Sequence, residues 1–272
     1  MATPEQSTTA SPRPTRAHAP ILLIDDQRFV GLALARLLDG ESGLELHCCE
    51  RGAEAEALAD RIRPALILQD LVMPDVDGLT LVRAFRQRAS TAHTPVIVLS
   101  GNDDAGTRER ALAAGAVDYL VKLPTKAALL ECLQRHLSPG ADAPRGVTAV
   151  ASDDASDVAL DPEFLATYRD EGVDPDGTLR ELLDVFFRDA ERLIGDLRRA
   201  AGAGFNAAVP KVAHALKGCA LAAGARALAG VCAQLETGTL SAADGVVRLD
   251  AELARVKAAA AVAVKQRQQC GI

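Results

Sequence analysis

The sequence predicts an open α/β fold with an all-parallel sheet, followed by an all-α antiparallel four-helix bundle. Three observations carry that expectation. Short apolar runs alternate with helix-like stretches through the first half of the chain; most of those runs close on a charged or hydroxyl residue; and beyond a stretch rich in Pro, Ser and Asp the strand signals stop while helix-start signals continue. At 272 residues there is room for two ordinary domains, and with nearly half the residues hydrophobic each can bury a core.

Residues 1–18, rich in Ser, Thr, Pro and Ala, read as a disordered tail. Strands follow at about 21–24, 44–48, 65–69, 95–99 and 117–121, with amphipathic helices near 28–39, 52–61, 78–89, 105–114 and 126–137. Ile21-Leu-Leu-Ile24, Leu66-Ile-Leu-Gln69 and Val96-Ile-Val-Leu99 are continuously apolar, which suits a sheet interior covered on both faces. Leu44-Glu-Leu-His-Cys48 and Val117-Asp-Tyr-Leu-Val121 alternate, which suits edges. With strands two and five at the edges, the order is the flavodoxin-like 2-1-3-4-5. The α/β domain is expected over 19–138, a linker over 139–159, the helical domain over 160–268 and a short tail over 269–272. In the helical domain Asp161-Pro162 joins an N-cap to a first-turn proline, and Thr178-Leu-Arg-Glu181 and Ser241-Ala-Ala-Asp244 resemble capping boxes. Gly202-Ala-Gly204 and Gly224 punctuate the helical runs.

Composition narrows the function classes. A net charge of -7 argues against a sequence-independent nucleic-acid binder, which needs a basic face to displace counterions, and the helical region offers no basic recognition helix. The six cysteines show neither paired CxxC spacing nor a secreted context and read as reduced, mostly buried side chains, with no zinc site indicated. No apolar run approaches the ~20 residues that cross a bilayer, and the N-terminus lacks a signal core, so no membrane insertion and a cytoplasmic location are expected. Neither a P-loop nor the glycine-rich boxes of an ATP-dependent histidine kinase occur, so an autonomous kinase is not expected.

The ligand crevice of an open parallel sheet lies at the carboxyl ends of its strands. Asp25 and Asp26, Asp70, Ser100 and Lys122 each follow one of the apolar runs, so three carboxylates, a hydroxyl and an ammonium converge on that edge. Taken singly, an acid at a strand end is a solvated turn residue. Taken together, the set holds a divalent cation, for which carboxylates are hard oxygen ligands, and a phosphoryl group.

Over residues 19–138 the chain resembles the receiver domains of bacterial response regulators, on Ile24-Asp25-Asp26, Gln69-Asp70-Leu-Val-Met73-Pro74-Asp-Val-Asp77-Gly78, Leu99-Ser100 and Gly115-Ala-Val-Asp-Tyr119-Leu-Val-Lys122. The resemblance implies that Asp70 is the phosphoacceptor and that Asp25, Asp26, Asp70 and the backbone carbonyl of Val72 arrange a Mg2+ ion. It further implies that Ser100 and Lys122 contact the phosphoryl group and that Tyr119 is an aromatic switch. One departure is Lys122-Leu123-Pro124, in which the proline usually following the lysine is displaced by one position. Val72 and Asn102, two residues past Asp70 and Ser100, flank the water path of such domains. An apolar Val72 offers a hydrolytic water no hydrogen bond, so a long-lived aspartyl phosphate is expected.

The second chemical candidate is His214. At ~100° per residue, Phe205, Val209, Val212, Leu216 and Cys219 share one side of its helix and His214 lies about 200° from Val212, pointing away from the bundle core. Lys217 and Gly218 are its neighbours at the next turn, the first bringing positive charge toward a phosphate and the second leaving space. Glycine within a helix costs about 1 kcal/mol relative to alanine, and close approach of another protein's backbone would explain it. Over 160–268 the region resembles a histidine-containing phosphotransfer (HPt) domain, on His214-Ala-Leu-Lys217-Gly218-Cys-Ala-Leu-Ala-Ala-Gly224-Ala-Arg-Ala-Leu228 and Cys232-Ala-Gln-Leu-Glu236.

Together the two resemblances imply a phosphorelay protein that accepts a phosphoryl group on Asp70 from a sensor or hybrid histidine kinase and exchanges it through His214 with the receiver domain of another response regulator. Exchange between Asp70 and His214 within one chain is within the reach of the linker. The alternative is a phosphorylation-gated interaction regulator whose helical domain binds a partner without carrying phosphate. Oligomeric state, stimulus and direction of flow are not encoded in any of these features.

Overall fold

The computed structural model describes residues 18–101, 105–122, 124–137, 159–167, 178–203 and 206–269. The expected tail before residue 18, most of the expected linker, Asn102, Leu123, Phe205 and Cys270 lie outside the described residues.

The α/β half runs β1 (Ala19–Ile24), α1 (Arg28–Leu37), β2 (Leu44–Cys49), α2 (Gly52–Ile62), β3 (Leu66–Asp70), α3 (Gly78–Gln87), β4 (Val96–Ser100), α4 (Ala105–Ala114), β5 (Asp118–Val121) and α5 (Lys126–Leu137). Its strands form one parallel sheet in the order β2-β1-β3-β4-β5, so the alternating strands are the edges and the continuously apolar ones the interior. Alternation along each strand divides the core. Leu22, Ile24, Ile67, Val96, Val98 and Tyr119 face one side with residues of α2, α3 and α4, while Ile21, Leu23, Leu66, Leu68, Ile97 and Leu99 face α1 and α5. The third helix ends two residues earlier than its sequence pattern predicts, because Arg88 already has extended backbone.

The helical half comprises α6 (Pro162–Thr167), α7 (Thr178–Gly202), a 3-10 turn (Asn206–Ala208), α8 (Val209–Ala222), α9 (Arg226–Glu236) and α10 (Ala242–Gln269). Two of its start signals form as read. Asp244 N–H donates to Ser241 Oγ at 3.1 Å while the Ser241 hydroxyl donates to Asp244 Oδ2 at 2.6 Å, and Pro162 opens α6 directly after Asp161. Gly224 sits at φ +68° between α8 and α9, where a Cβ would stand 2.8 Å from the Cβ of Asp161. Cys49, Cys132, Cys219 and Cys232 are buried free thiols, and Cys48 is exposed. No helix among the described residues is long and apolar enough to cross a membrane.

The two halves share a core. The α1/α5 face of the sheet continues through Phe29 into Leu179, Leu182, Leu183 and Phe186 of α7 and on to Leu216 and Cys219 of α8. Phe29 meets Phe186 edge-on at 5.7 Å between centroids and lies 6.5 Å from Phe164.

Candidate functional site

The carboxyl ends of β1, β3, β4 and β5 bring the sequence-selected residues to one edge, and the loop from β3 to α3 closes over it. Lys122, fully inside the protein, places Nζ 2.8 Å from Asp25 Oδ2 and 2.7 Å from Asp70 Oδ2. Asp26 completes a trio in which one oxygen from each carboxylate lies within 4.8 Å of the others. Burial pushes Asp25 up to about 7, with the Asp70 charge adding and Lys122 opposing; burial and Asp70 likewise push Asp26 up to about 6. Burial pulls the Lys122 ammonium down, but Asp25 and Asp70 outweigh it and hold its pKa above the ordinary lysine value. Three carboxylates against one ammonium leave excess negative charge in a buried place. Asp26 Oδ1 is buried without a hydrogen-bond partner, and this donor set fits a hard divalent cation.

Ser100 is buried at the end of β4, where its carbonyl accepts the Lys122 N–H at 2.7 Å. Val72 N–H donates to Asp70 Oδ1 at 3.2 Å, and Val72 bridges Asp77 across the loop. Tyr119 is buried in the core with Arg108 over its ring at 5.3 Å. Gly78 is dictated by close approach: a Cβ there would stand 2.4 Å from the Asp70 carbonyl oxygen.

His214 is not on open surface. It points away from its own bundle, as its helical phase predicts, but into a cleft of about 610 Å³ whose opposite wall is the β3–α3 loop, including Val72, Pro74 and Asp77. Its Nδ1 donates to Glu236 Oε1 of α9 at 2.5 Å. Burial pushes the Glu236 carboxyl up, but hydrogen bonds from His214 and Lys217 outweigh it and hold it below the usual range, so it stays ionised and accepts. Nδ1 therefore carries a proton, and Nε2 is the ring nitrogen that Glu236 does not engage. Lys217 departs from expectation: it is buried with its ammonium on Glu236, so its charge reaches the histidine site through that carboxylate.

Sequence reasoning passed over Gln27, Asp189, Lys211 and Glu236 as functional residues. Gln27 Nε2 donates to the Ala215 carbonyl at 3.1 Å, Lys211 Nζ to the Pro74 carbonyl at 3.0 Å, and Phe29 N–H to Asp189 Oδ2 at 3.4 Å. All three contacts join residues more than a hundred positions apart. A second metal-like cluster, Asp118, Cys132 and His136, is taken up by the protein, since Arg135 and His136 both reach Asp118 Oδ2 at 3.0 Å.

Comparison with known proteins agrees with both halves of this geometry. The response regulator receiver domain family matches residues 21–134, and the Hpt domain family matches residues 181–259. The chain joins a response regulator receiver domain to an Hpt domain. The receiver part is 34% identical over 122 residues to the phosphate regulon transcriptional regulatory protein PhoB of Rhizobium meliloti, covering 44% of this chain and 53% of that protein. It is similar also to the transcriptional regulatory protein TrcR of Mycobacterium tuberculosis, 34% identical over 102 residues, covering 38% of each. The chain thus spans about half the length or less of these curated relatives. Among solved structures, the Vibrio cholerae chemotaxis protein CheY4 is 30% identical with a TM-score of 0.42, over 44% of this chain and all of that one. The receiver domain of the sensor histidine kinase PA1611 of Pseudomonas aeruginosa, solved with a magnesium ion coordinated in its active site cleft, is 32% identical with a TM-score of 0.41, over 44% of this chain and 98% of that one. In the present chain the β3–α3 loop of the receiver, which follows Asp70, and the imidazole of the Hpt domain line opposite walls of one cleft.

Proposed function

We propose that this protein is a phosphorelay intermediate in which Asp70 and His214 are the two phosphoryl carriers. The observation that carries the reading is the pairing of an ammonium-clamped carboxylate, Asp70 with Lys122, with an imidazole whose proton is held by Glu236. In the receiver, an Asp70 oxygen attacks the phosphorus of a phosphohistidine presented by a sensor or hybrid histidine kinase; the N–P bond breaks and the imidazole leaves with the electron pair. Lys122 and Ser100 contact the phosphoryl oxygens, and Tyr119, which pairs with Val98 two residues before Ser100 in the β4–β5 register, responds as the switch. Asp25, Asp26, Asp70 and the Val72 carbonyl would hold Mg2+, which neutralises charge on the transferring group.

In the Hpt domain, Nε2 of His214 takes the phosphoryl group while Nδ1–H stays on Glu236, whose carboxylate offsets the positive charge the ring acquires. Lys217 keeps Glu236 ionised, and Gly218 leaves room for Gln27 and Lys122 of the receiver one turn from the ring. The downstream partner is the receiver domain of another response regulator. In this reading the protein works in the cytoplasm and uses no ATP of its own.

The test is a time course with labelled acetyl phosphate and Mg2+ on the full chain, on Asp70→Asn and on His214→Gln. Base-labile label on Asp70 that disappears in Asp70→Asn, and acid-labile, base-stable label on His214 that disappears in His214→Gln, are expected. Intact downstream phosphorylation in a His214→Gln strain would instead favour the interaction-regulator reading.

A further inference from the structure

We propose that the Hpt domain is docked on its own receiver as a phosphotransfer complex, so that Asp70 and His214 exchange the phosphoryl group within one chain. The inference rests on the relay reading above and names the partner of each site: the other domain of the same molecule.

Three contacts on one face of α8 bracket His214. Lys211, three residues before it, reaches the Pro74 carbonyl four residues past Asp70 at 3.0 Å. Ala215, the next residue, gives its carbonyl to Gln27 Nε2 at 3.1 Å, immediately after the Asp25-Asp26 pair. Gly218, one turn on, meets the receiver backbone itself: a Cβ on Gly101 would stand 3.4 Å from the Gly218 Cα. A Cβ on Gly218 would in turn lie 3.4 Å from Gln27 Nε2 and 3.9 Å from Cδ of Lys122, whose ammonium clamps Asp70. Positions 211, 214, 215 and 218 fall on one helical face, so the ring between them lines the cleft walled by the β3–α3 loop that follows Asp70. The close backbone approach that the helical glycine calls for is thus made by the chain's own receiver.

Contacts away from the chemistry hold the same pose. Gln27 supplies no side-chain cap to α1; Asp189 of α7 does so instead, accepting from Phe29 N–H at 3.4 Å. Phe29, fully buried, packs on Phe186, and Arg36 pairs with Glu181 at 2.7 Å.

The step balances without a further reactant. Nε2 of His214 attacks the phosphorus of the Asp70 acyl phosphate, the P–O bond to Asp70 breaks, and the carboxylate leaves with the electron pair. The proton on Nδ1 remains shared with Glu236. The reverse step restores neutral imidazole.

The experiment uses the full chain, with acetyl phosphate as donor and rapid quenching. Label should pass from Asp70 to His214 with a first-order rate that does not change across a wide range of protein concentration. Mixing Asp70→Asn with His214→Gln at micromolar concentration should transfer at least about 100-fold more slowly, because tethering supplies an effective concentration on the order of millimolar. The double variant Arg36→Glu/Lys211→Glu, which touches docking contacts only, should slow the intrachain step several-fold while Asp70 still takes label. A transfer rate proportional to protein concentration, or mixed variants as fast as wild type, overturns the inference and leaves the relay reading standing. Failure of either site to take label overturns both.

Discussion

At Glu236 a single carboxylate ties the imidazole of His214 and the ammonium of Lys217, both from α8, and its place in the site has a consequence for the imidazole. With Glu236→Gln the acceptor is no longer ionised and the Nδ1–H form of His214 loses its bias, so phosphotransfer through His214 should fall by at least about tenfold, in the range where orienting a proton matters. Nitrogen NMR should find the Nδ1–H tautomer in the wild type and a mixture in the variant, a change that a merely structural role for Glu236 would not produce. Val72 lies beside Asp70, the other proposed carrier. Its N–H holds Asp70 Oδ1, but its side chain gives a water nothing to bond to. Val72→Asn is expected to shorten the lifetime of the aspartyl phosphate several-fold in a decay assay; an unchanged or longer lifetime would refute the expectation.

Among the elements, the β3–α3 connection is the most constrained. Gly78 N–H donates to the Leu71 carbonyl at 3.0 Å, Asp77 caps α3 by accepting from Thr80 N–H at 2.9 Å, and no Cβ fits against the Asp70 carbonyl. Gly78→Ala should therefore cost about 1–3 kcal/mol in a urea melt, as overpacking does, and should slow labelling of Asp70. The link between α2 and the end of α3 is electrostatic. Asp60 on α2 accepts from Arg88 and Ser90, and those hydrogen bonds lower its carboxyl to about 2. A depressed folded pKa adds stability above the unfolded value of about 3.8, and that stability is lost as pH falls toward about 2. The difference in melting temperature between wild type and Asp60→Asn should be constant from neutral pH to about pH 4 and vanish near pH 2.

In the whole molecule the shared core makes the two domains one cooperative body. Phe29 is buried between them, so Phe29→Ala should remove about 3–5 kcal/mol and separate a single thermal transition into two. Calorimetry of wild type and variant checks this directly. If the proposed relay holds, the same docking has a cost: an external receiver reaching His214 must compete with the β3–α3 loop of this chain for the cleft.

The pattern of apolar runs was enough for the sheet order, because a strand covered on both faces and one covered on a single face demand different periodicities. The strand-end residues were legible for a related reason, since a parallel sheet sends every strand's carboxyl end to one edge wherever the helices lie. Glu236, Gln27, Asp189 and Lys211 were not legible. Nothing local marks Glu236 as facing His214, because the rotation of α9 against α8 is set by how Leu228, Cys232 and Leu235 pack. Gly218 carried a signal that was only half readable: its helical cost called for a close neighbour, and only the folded chain supplied that neighbour from its own receiver. The sequence by itself determined two folds and the strand-end and helix positions of the candidate site residues, through patterns repeated within a few turns or strands. The tertiary structure alone decided that α8, which carries His214, packs against the receiver loops beside the acidic edge, because that arrangement depends on contacts between residues separated by more than a hundred positions.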